Sequence, residues 1–168
     1  MTDNYMSGEL RIRPNFASSQ VKDVEGYTLT AELFTWSDLK VAEKSDDIYR
    51  YASEKYQDNY HLGKYMSIKL AEPRLWSAER PDLYKLVMTL RKGDKVIESR
   101  SCSVGFRDVC FKGGELYVNG KREFVRGVNR HEHNPWTGKT ITEEQMIHDI
   151  IMMKRHNFNS VRTSHYPD

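Results

Sequence analysis

The sequence predicts a mainly β chain: an antiparallel β-sandwich over residues 1–108, then a single parallel strand–helix–strand unit over residues 109–168. Three observations predict it. Short alternating apolar segments punctuated by Gly and Pro fill the first part. An Asn119-Gly120 dipeptide then marks a tight hairpin. Finally, a capped helical pattern at residues 142–157 lies between two short apolar runs, each ending in a polar cluster.

Composition bounds the function classes. The chain has 168 residues, enough for one domain or for a small domain with part of another. The apolar fraction of 38% allows a packed core. Lys and Arg number 26 against 24 Asp and Glu, and no basic block stands out, which argues against a nucleic-acid partner. No run approaches the ~18 apolar residues of a membrane span. The N-terminus lacks the apolar core of a signal peptide, and the compartment stays unassigned. Strand-like sequence begins almost at once, and the chain stops directly after a strand, so both ends are read as cuts in a longer protein. The two cysteines, Cys102 and Cys110, form no disulfide framework and are expected as buried or half-buried thiols, with a bridge across the turn at Gly105 left open.

In chain order, Leu10 and Ile12 alternate with Arg11 and Arg13 until Pro14, giving a first half-buried strand. Leu29, Ala31 and Leu33 face one way in the second, and Thr28, Thr30 and Glu32 the other. From Ser37 to Leu62 the sequence is polar and tyrosine-rich, with room for a short strand and a loop whose tyrosines are read as solvated hairpin tips. Met66, Ile68 and Leu70 mark the next strand, stopped by Pro73. Tyr84, Leu86, Met88 and Leu90 alternate into a turn at Lys92-Gly93-Asp94, and Val96 to Val104 returns. Five or six such strands in about a hundred residues describe an immunoglobulin-like sandwich, with Trp76 expected to cap one end of its core.

The boundary is placed near Phe106–Val109. Asn119-Gly120 is then expected to join Leu116–Val118 to a strand at Phe124–Val128. Thr142 and Gln145 fit a capping box, with Glu143 and Glu144 at the positive end of the helix dipole. Met146, Ile147, Ile150, Ile151 and Met153 form its apolar face, and Asn157 is the expected cap at the other end. Two strands joined through a helix should lie parallel with a right-handed crossover.

Polar residues gather where a parallel α/β fold puts its chemistry, at the carboxyl ends of its strands. Asn129, Arg130, His131, Glu132 and His133 follow the first strand, and Arg162, Ser164 and His165 follow the second. Parallel neighbours lie about 4.8 Å apart, so both clusters can converge on one ligand. A zinc site at His131 and His133 lacks a third ligand, and alternation should send the two rings apart. Glu132 as a catalytic acid lacks a carboxylate partner nearby, so pairing with Arg130 or Arg162 is expected. Ser164 beside His165 has no glycine elbow around it. His148 and His156 are read as solvated helix residues.

RGVNRHEHNP (Arg126 to Pro135), the helix start TEEQMIHDI and NFNSVRTSHYPD (Asn157 to Asp168) resemble the β-galactosidases of glycoside hydrolase family 2, as do LWSAERPDLY, VGFRDV and LYVNGK. The string from Asn159 to Pro167 matches the first half of that family's signature. The resemblance implies an immunoglobulin-like domain followed by the first strand, helix and second strand of a TIM barrel. It implies a retaining hydrolase of terminal β-galactosides whose acid/base and nucleophilic glutamates lie outside this chain, leaving the chain inactive alone. A β-glucuronidase or β-mannosidase of the same family is the near alternative, and a non-catalytic sandwich module binding carbohydrate or protein the distant one. By the same resemblance, His131 and His165 hydrogen-bond sugar hydroxyls, Arg162 keeps the nucleophilic carboxylate ionised, and Asn129, Arg130 and Glu132 support them. No cofactor is expected on these residues. The magnesium of such enzymes is expected on ligands elsewhere. The expected partner is a β-galactoside, with neither nucleic acid nor membrane, and a homo-oligomer is possible.

Overall fold

The computed structural model describes residues 3–14, 25–48 and 65–165. The tyrosine-rich stretch lies largely outside them. The chain divides into two compact units, Met1–Val109 with Val118–Gly120, and Cys110–Tyr117 with Lys121–Asp168.

In the first unit, β1 (Ser7–Ile12) pairs antiparallel with β4 (Met66–Ala71). A second sheet runs in the order β3 (Lys40–Asp47), β2 (Tyr27–Thr35), β5 (Tyr84–Lys92) and β6 (Lys95–Val104), all antiparallel. Alternation sets what each strand buries. On β2, Leu29, Ala31 and Leu33 point inward and lie opposite Leu90, Met88 and Leu86 of β5. Ile12, Met66 and Ile68 join them from the other sheet, and Ile48, Tyr84 and Phe106 complete one core. Leu33 and Met66 are completely buried.

Phe106, rather than Trp76, closes the end of this core. Its ring stands edge-on to Tyr84 at 5.3 Å, whereas Trp76 is half-buried with the Arg107 guanidinium 4.8 Å over its ring. Trp76 serves through its backbone: its N–H donates to Phe106 O and its carbonyl accepts from Asn119 Nδ2, both at 2.9 Å.

Strand β6 is one edge of this sheet, β3 being the other, and every residue from Lys95 to Ser103 is exposed. Glu98, Arg100 and Cys102 sit opposite Leu90, Met88 and Leu86, hence on the inward side, yet no described residue covers them. Cys102 and Cys110 are therefore free as expected but exposed rather than buried.

Three short strands follow, β7 (Val109–Lys112), β8 (Glu115–Val118) and β9 (Lys121–Glu123). Asn119 and Gly120 have φ of 50° and 71°, the left-handed pair that a two-residue hairpin turn needs. Such a turn obliges the partner strand to begin at Lys121. The expected partner Phe124–Val128 is corrected accordingly: residues 124–126 are irregular, and the next strand is β10 (Gly127–Arg130).

The second unit is built on β10, helix α1 (Glu143–Arg155) and β11 (Ser160–Thr163). Strands β10 and β11 are parallel, with Val128 opposite Val161 and Asn129 opposite Arg162. Gly127 is a glycine for lack of room, since a Cβ there would lie 3.2 Å from both the Ser160 Cβ and its carbonyl oxygen. The capping box is formed: Thr142 Oγ1 accepts from Gln145 N, and Gln145 Oε1 accepts from Thr142 N. At the far end the cap is His156, and Asn157 sits one position beyond with φ 60°. Asn157 N donates to Lys154 O and Phe158 N to Met153 O, the paired bonds of a Schellman stop.

The helix has no buried residue. Its half-buried stripe is Gln145, Met146, Asp149 and Met153, while Ile147, Ile150 and Ile151 are 51%, 41% and 43% exposed. The expected apolar face is thus displaced around the helix toward a polar anchor, Asp149. No described helix is long and apolar enough to cross a membrane.

Candidate functional site

Paired parallel strands put residues in register on the same side of the sheet. Asn129 and Arg162 share one side, and Arg130 and Thr163 the other. The side chain of Arg130 is only 9% exposed and reaches the helix, donating from Nε to Asp149 Oδ2 at 3.0 Å. Its Nη1 meets Glu132 Oε1 at 3.3 Å, so the expected pairing of Glu132 with Arg130 is realised. The helix side of the strand pair is therefore occupied by a carboxylate–guanidinium–carboxylate cluster. Arg130 Nη2 and Ser164 Oγ are buried without a partner among the described residues.

The opposite side carries Asn129 and Arg162. Arg162 is exposed, with no carboxylate partner among the described residues. At the strand ends, the rings of His131 and His165 stand edge-to-face with centroids 5.6 Å apart. His133 also meets His131, at 5.4 Å, against the expectation that the two rings diverge. The reason is that β10 ends at Arg130; residues 131–133 are not in a strand, and strand alternation does not govern them. Among the described residues, no group of three or more His, Cys, Asp or Glu side chains is arranged to hold a metal ion. His148 and His156 lie exposed on the helix, and His156 Nδ1 is 2.9 Å from Met152 O.

Two asparagines to which the sequence reading gave no structural role fix the segments that flank the strand pair, Asn159 at the amino ends of β10 and β11 and Asn134 beyond the histidines. Asn159 Oδ1 accepts from Arg126 N at 2.8 Å, while its Nδ2 donates to Glu123 Oε1 at 2.8 Å and to Phe124 O at 2.7 Å. Its own N–H donates to Arg126 O, and Ser164 N donates to Arg130 O at the other end of the pair. Asn134 Oδ1 accepts from Trp136 N and Thr137 N, and two backbone bonds between Asn134 and Gly138 close that turn. An Asn-Pro dipeptide was the available signal for the second of these. For Asp149, the signal was its place between Met146 and Met153 on one helical stripe.

Comparison with known proteins agrees with this architecture. Residues 3–107 match the family described as glycosyl hydrolases family 2, and residues 109–168 match glycosyl hydrolases family 2, TIM barrel domain. A β-galactosidase of Yersinia enterocolitica is 52% identical over 114 residues, covering 67% of this chain and 10% of that protein. A β-galactosidase of Erwinia tasmaniensis is 38% identical over 169 residues, covering 100% of this chain and 16% of that protein. The chain therefore spans a small part of the length of these relatives. Among solved structures, a β-glucuronidase from Ruminococcus gnavus shares the fold with a TM-score of 0.68 at 24% identity, covering 83% of this chain and 21% of that one. With an immunoglobulin-like sandwich followed by the opening strand, helix and strand of a barrel, and with both parts matched, the chain belongs to glycosyl hydrolases family 2.

Proposed function

We propose that this chain supplies the sandwich and the first two barrel strands of a retaining hydrolase of terminal β-galactosides. The observation that carries the reading is the meeting of His131 with His165 past the ends of two register-locked parallel strands, the second of which carries an Arg162 that lacks a carboxylate among the described residues. The names of the relatives supply the choice of galactoside.

In a barrel the helix side is the outside and the strand ends form the catalytic rim. Arg130, Glu132 and Asp149 lock the outside. That leaves Asn129, Arg162 and the two histidines for the ligand. Two imidazoles in edge contact present ring nitrogens that hydrogen-bond adjacent sugar hydroxyls and strengthen as the ring flattens in the transition state. A fixed guanidinium keeps a neighbouring carboxylate ionised and aimed, as a nucleophilic glutamate requires. Retaining hydrolysis needs two carboxyl groups about 5–5.5 Å apart. Glu132 is tied to Arg130, and the resemblance to the family puts both carboxyl groups, and the ligands of any magnesium ion, on residues outside this chain.

The purified chain is accordingly expected not to turn over 4-nitrophenyl β-galactoside. In a polypeptide that carries residues 109–168 within a complete barrel, His131→Ala or His165→Ala should each lower kcat by roughly a hundredfold, the cost of losing one aimed transition-state donor. Turnover by the chain alone that survives both replacements would overturn the proposal. Preference for the β-glucuronide over the β-galactoside in the complete barrel would overturn the substrate assignment only.

A further inference from the structure

The first unit holds a recess of about 340 Å³ that the hydrolytic reading does not use. Its walls come from the turn between β2 and β3 and from the segment leading into β5, with Trp36, Arg74, Asp82, Leu83 and Tyr84 among the residues that line it.

Both walls are fixed in advance. On one side, Thr35 N donates to Leu39 O at 2.8 Å, Asp38 N to Thr35 O at 3.0 Å and Leu39 N to Thr35 Oγ1 at 3.2 Å. Lys85 is ion-paired to Asp38 of the same turn. On the other side, Arg74 N donates to the Tyr84 hydroxyl at 2.8 Å, and Ser77 and Arg80 close a turn through bonds of 2.9 and 3.0 Å. A rigid hairpin nevertheless leaves Trp36 73% exposed, at an energetic disadvantage that a ligand would remove.

The chemistry of the lining is mixed in a specific way. A flat indole and an apolar floor of Leu83 and Tyr84 sit with one cation and one carboxylate. The Arg74 guanidinium has no partner among the described residues, and Asp82 is held only at 3.5 Å by an outlying Arg80. A pyranose ring answers each of these. Its C–H face lies on the indole, and vicinal hydroxyls donate to a carboxylate and accept from a guanidinium. The volume is at the small end of ligand sites, which suits one or two sugar rings. The geometry points to a second, non-hydrolytic saccharide site at Trp36, on the sandwich.

This inference does not rest on the histidine rim, and the test separates the two. The chain contains three tryptophans, so its indole N–H signals in a nitrogen–proton correlation spectrum are assignable by Trp36→Phe. Titration with lactose should shift the Trp36 signal saturably in the millimolar range. Followed at the backbone amide of Leu83, which lines the same recess, Trp36→Ala should weaken lactose binding at least about tenfold and Arg74→Ala by a few-fold, as for an aromatic anchor and one hydrogen-bonding group. Trp136→Ala should leave it unchanged. Preserved core methyl signals of Leu33 and Leu86 show that Trp36→Ala is folded. Three outcomes would overturn the proposal: no saturable shift at Trp36, a shift with sodium glucuronate but not lactose, or lactose binding that Trp36→Ala leaves intact in the folded variant.

Discussion

Asn159 holds three partners that precede it by more than thirty positions, through the amide N–H of Arg126, the carbonyl of Phe124 and the carboxylate of Glu123. A half-buried amide side chain that satisfies a backbone donor and a backbone acceptor substitutes for the sheet bonds missing where residues 124–126 run irregularly. Asn159→Ala should cost about 3 kcal/mol at roughly 1 kcal/mol per net hydrogen bond. It should also speed hydrogen exchange at the Arg126 amide well beyond the effect at Leu33. Equal acceleration at both would mean that the side chain holds no local structure. None of this is legible in the sequence, because the partners are set by tertiary proximity rather than by spacing. The pairing of Glu132 with Arg130 was legible, since neighbours two apart with opposite charge need only a locally extended chain. The meeting of His131 and His133 was not, because it depends on where the strand stops.

Helix α1 shows what local chemistry can and cannot specify. Its start follows from a four-residue capping box and its stop from Asn157, whose φ of 60° asparagine tolerates better than other residues with a Cβ. Thr142→Ala should therefore lower stability by about 1 kcal/mol, as loss of an N-cap does, seen as a lower melting temperature of the helical signal. Glu144 adds a pH dependence. A hydrogen bond from the Thr142 side chain, and next its own backbone N–H, hold its carboxyl below the ordinary value of 4.5. The folded helix thus takes up this proton less readily than the unfolded chain. The resulting stabilisation is complete above pH 4.5 and is lost as pH falls through the lowered folded value. Helix signal should decline in that acidic window, and Glu144→Gln should remove this part of the decline. Which face the helix presents was harder to read: five apolar residues suggested one broad stripe, and Arg130 selects the stripe that contains Asp149 instead. The hairpin at Asn119-Gly120 is similar. The dipeptide announced the turn, while the apolar pull of Phe124 and Val125 misplaced the partner strand. In Gly120→Ala the added Cβ would fall 2.9 Å from the Tyr5 ring at a φ of 71°, so a loss of about 1–2 kcal/mol is expected on thermal unfolding.

At the scale of the molecule, the sandwich was legible because alternation, turns and burial agree in Leu29, Ala31, Leu33 and their partners on β5. Exposure was not legible, since it depends on which surfaces a sheet or helix finds to cover it. Ile147, Ile150 and Ile151 are open to solvent, and so are Phe111, Phe124 and Val125. The chain should therefore bind an apolar dye and associate reversibly with concentration, and Ile147→Lys with Ile151→Lys should reduce both in fluorescence and sedimentation measurements. A monomer dark to the dye at all concentrations would contradict this. Strand β6 carries a different liability. Ten residues long and unpaired along one flank among the described residues, it offers a template on which a stray polypeptide could lay down another strand. What guards it is the Glu98–Arg100 ion pair, turned toward the interior side where an uninvited neighbour would have to smother both charges. Swapping that pair for two valines would give away the guard while leaving the native sheet almost untouched, and amyloid-type fibres should then nucleate sooner.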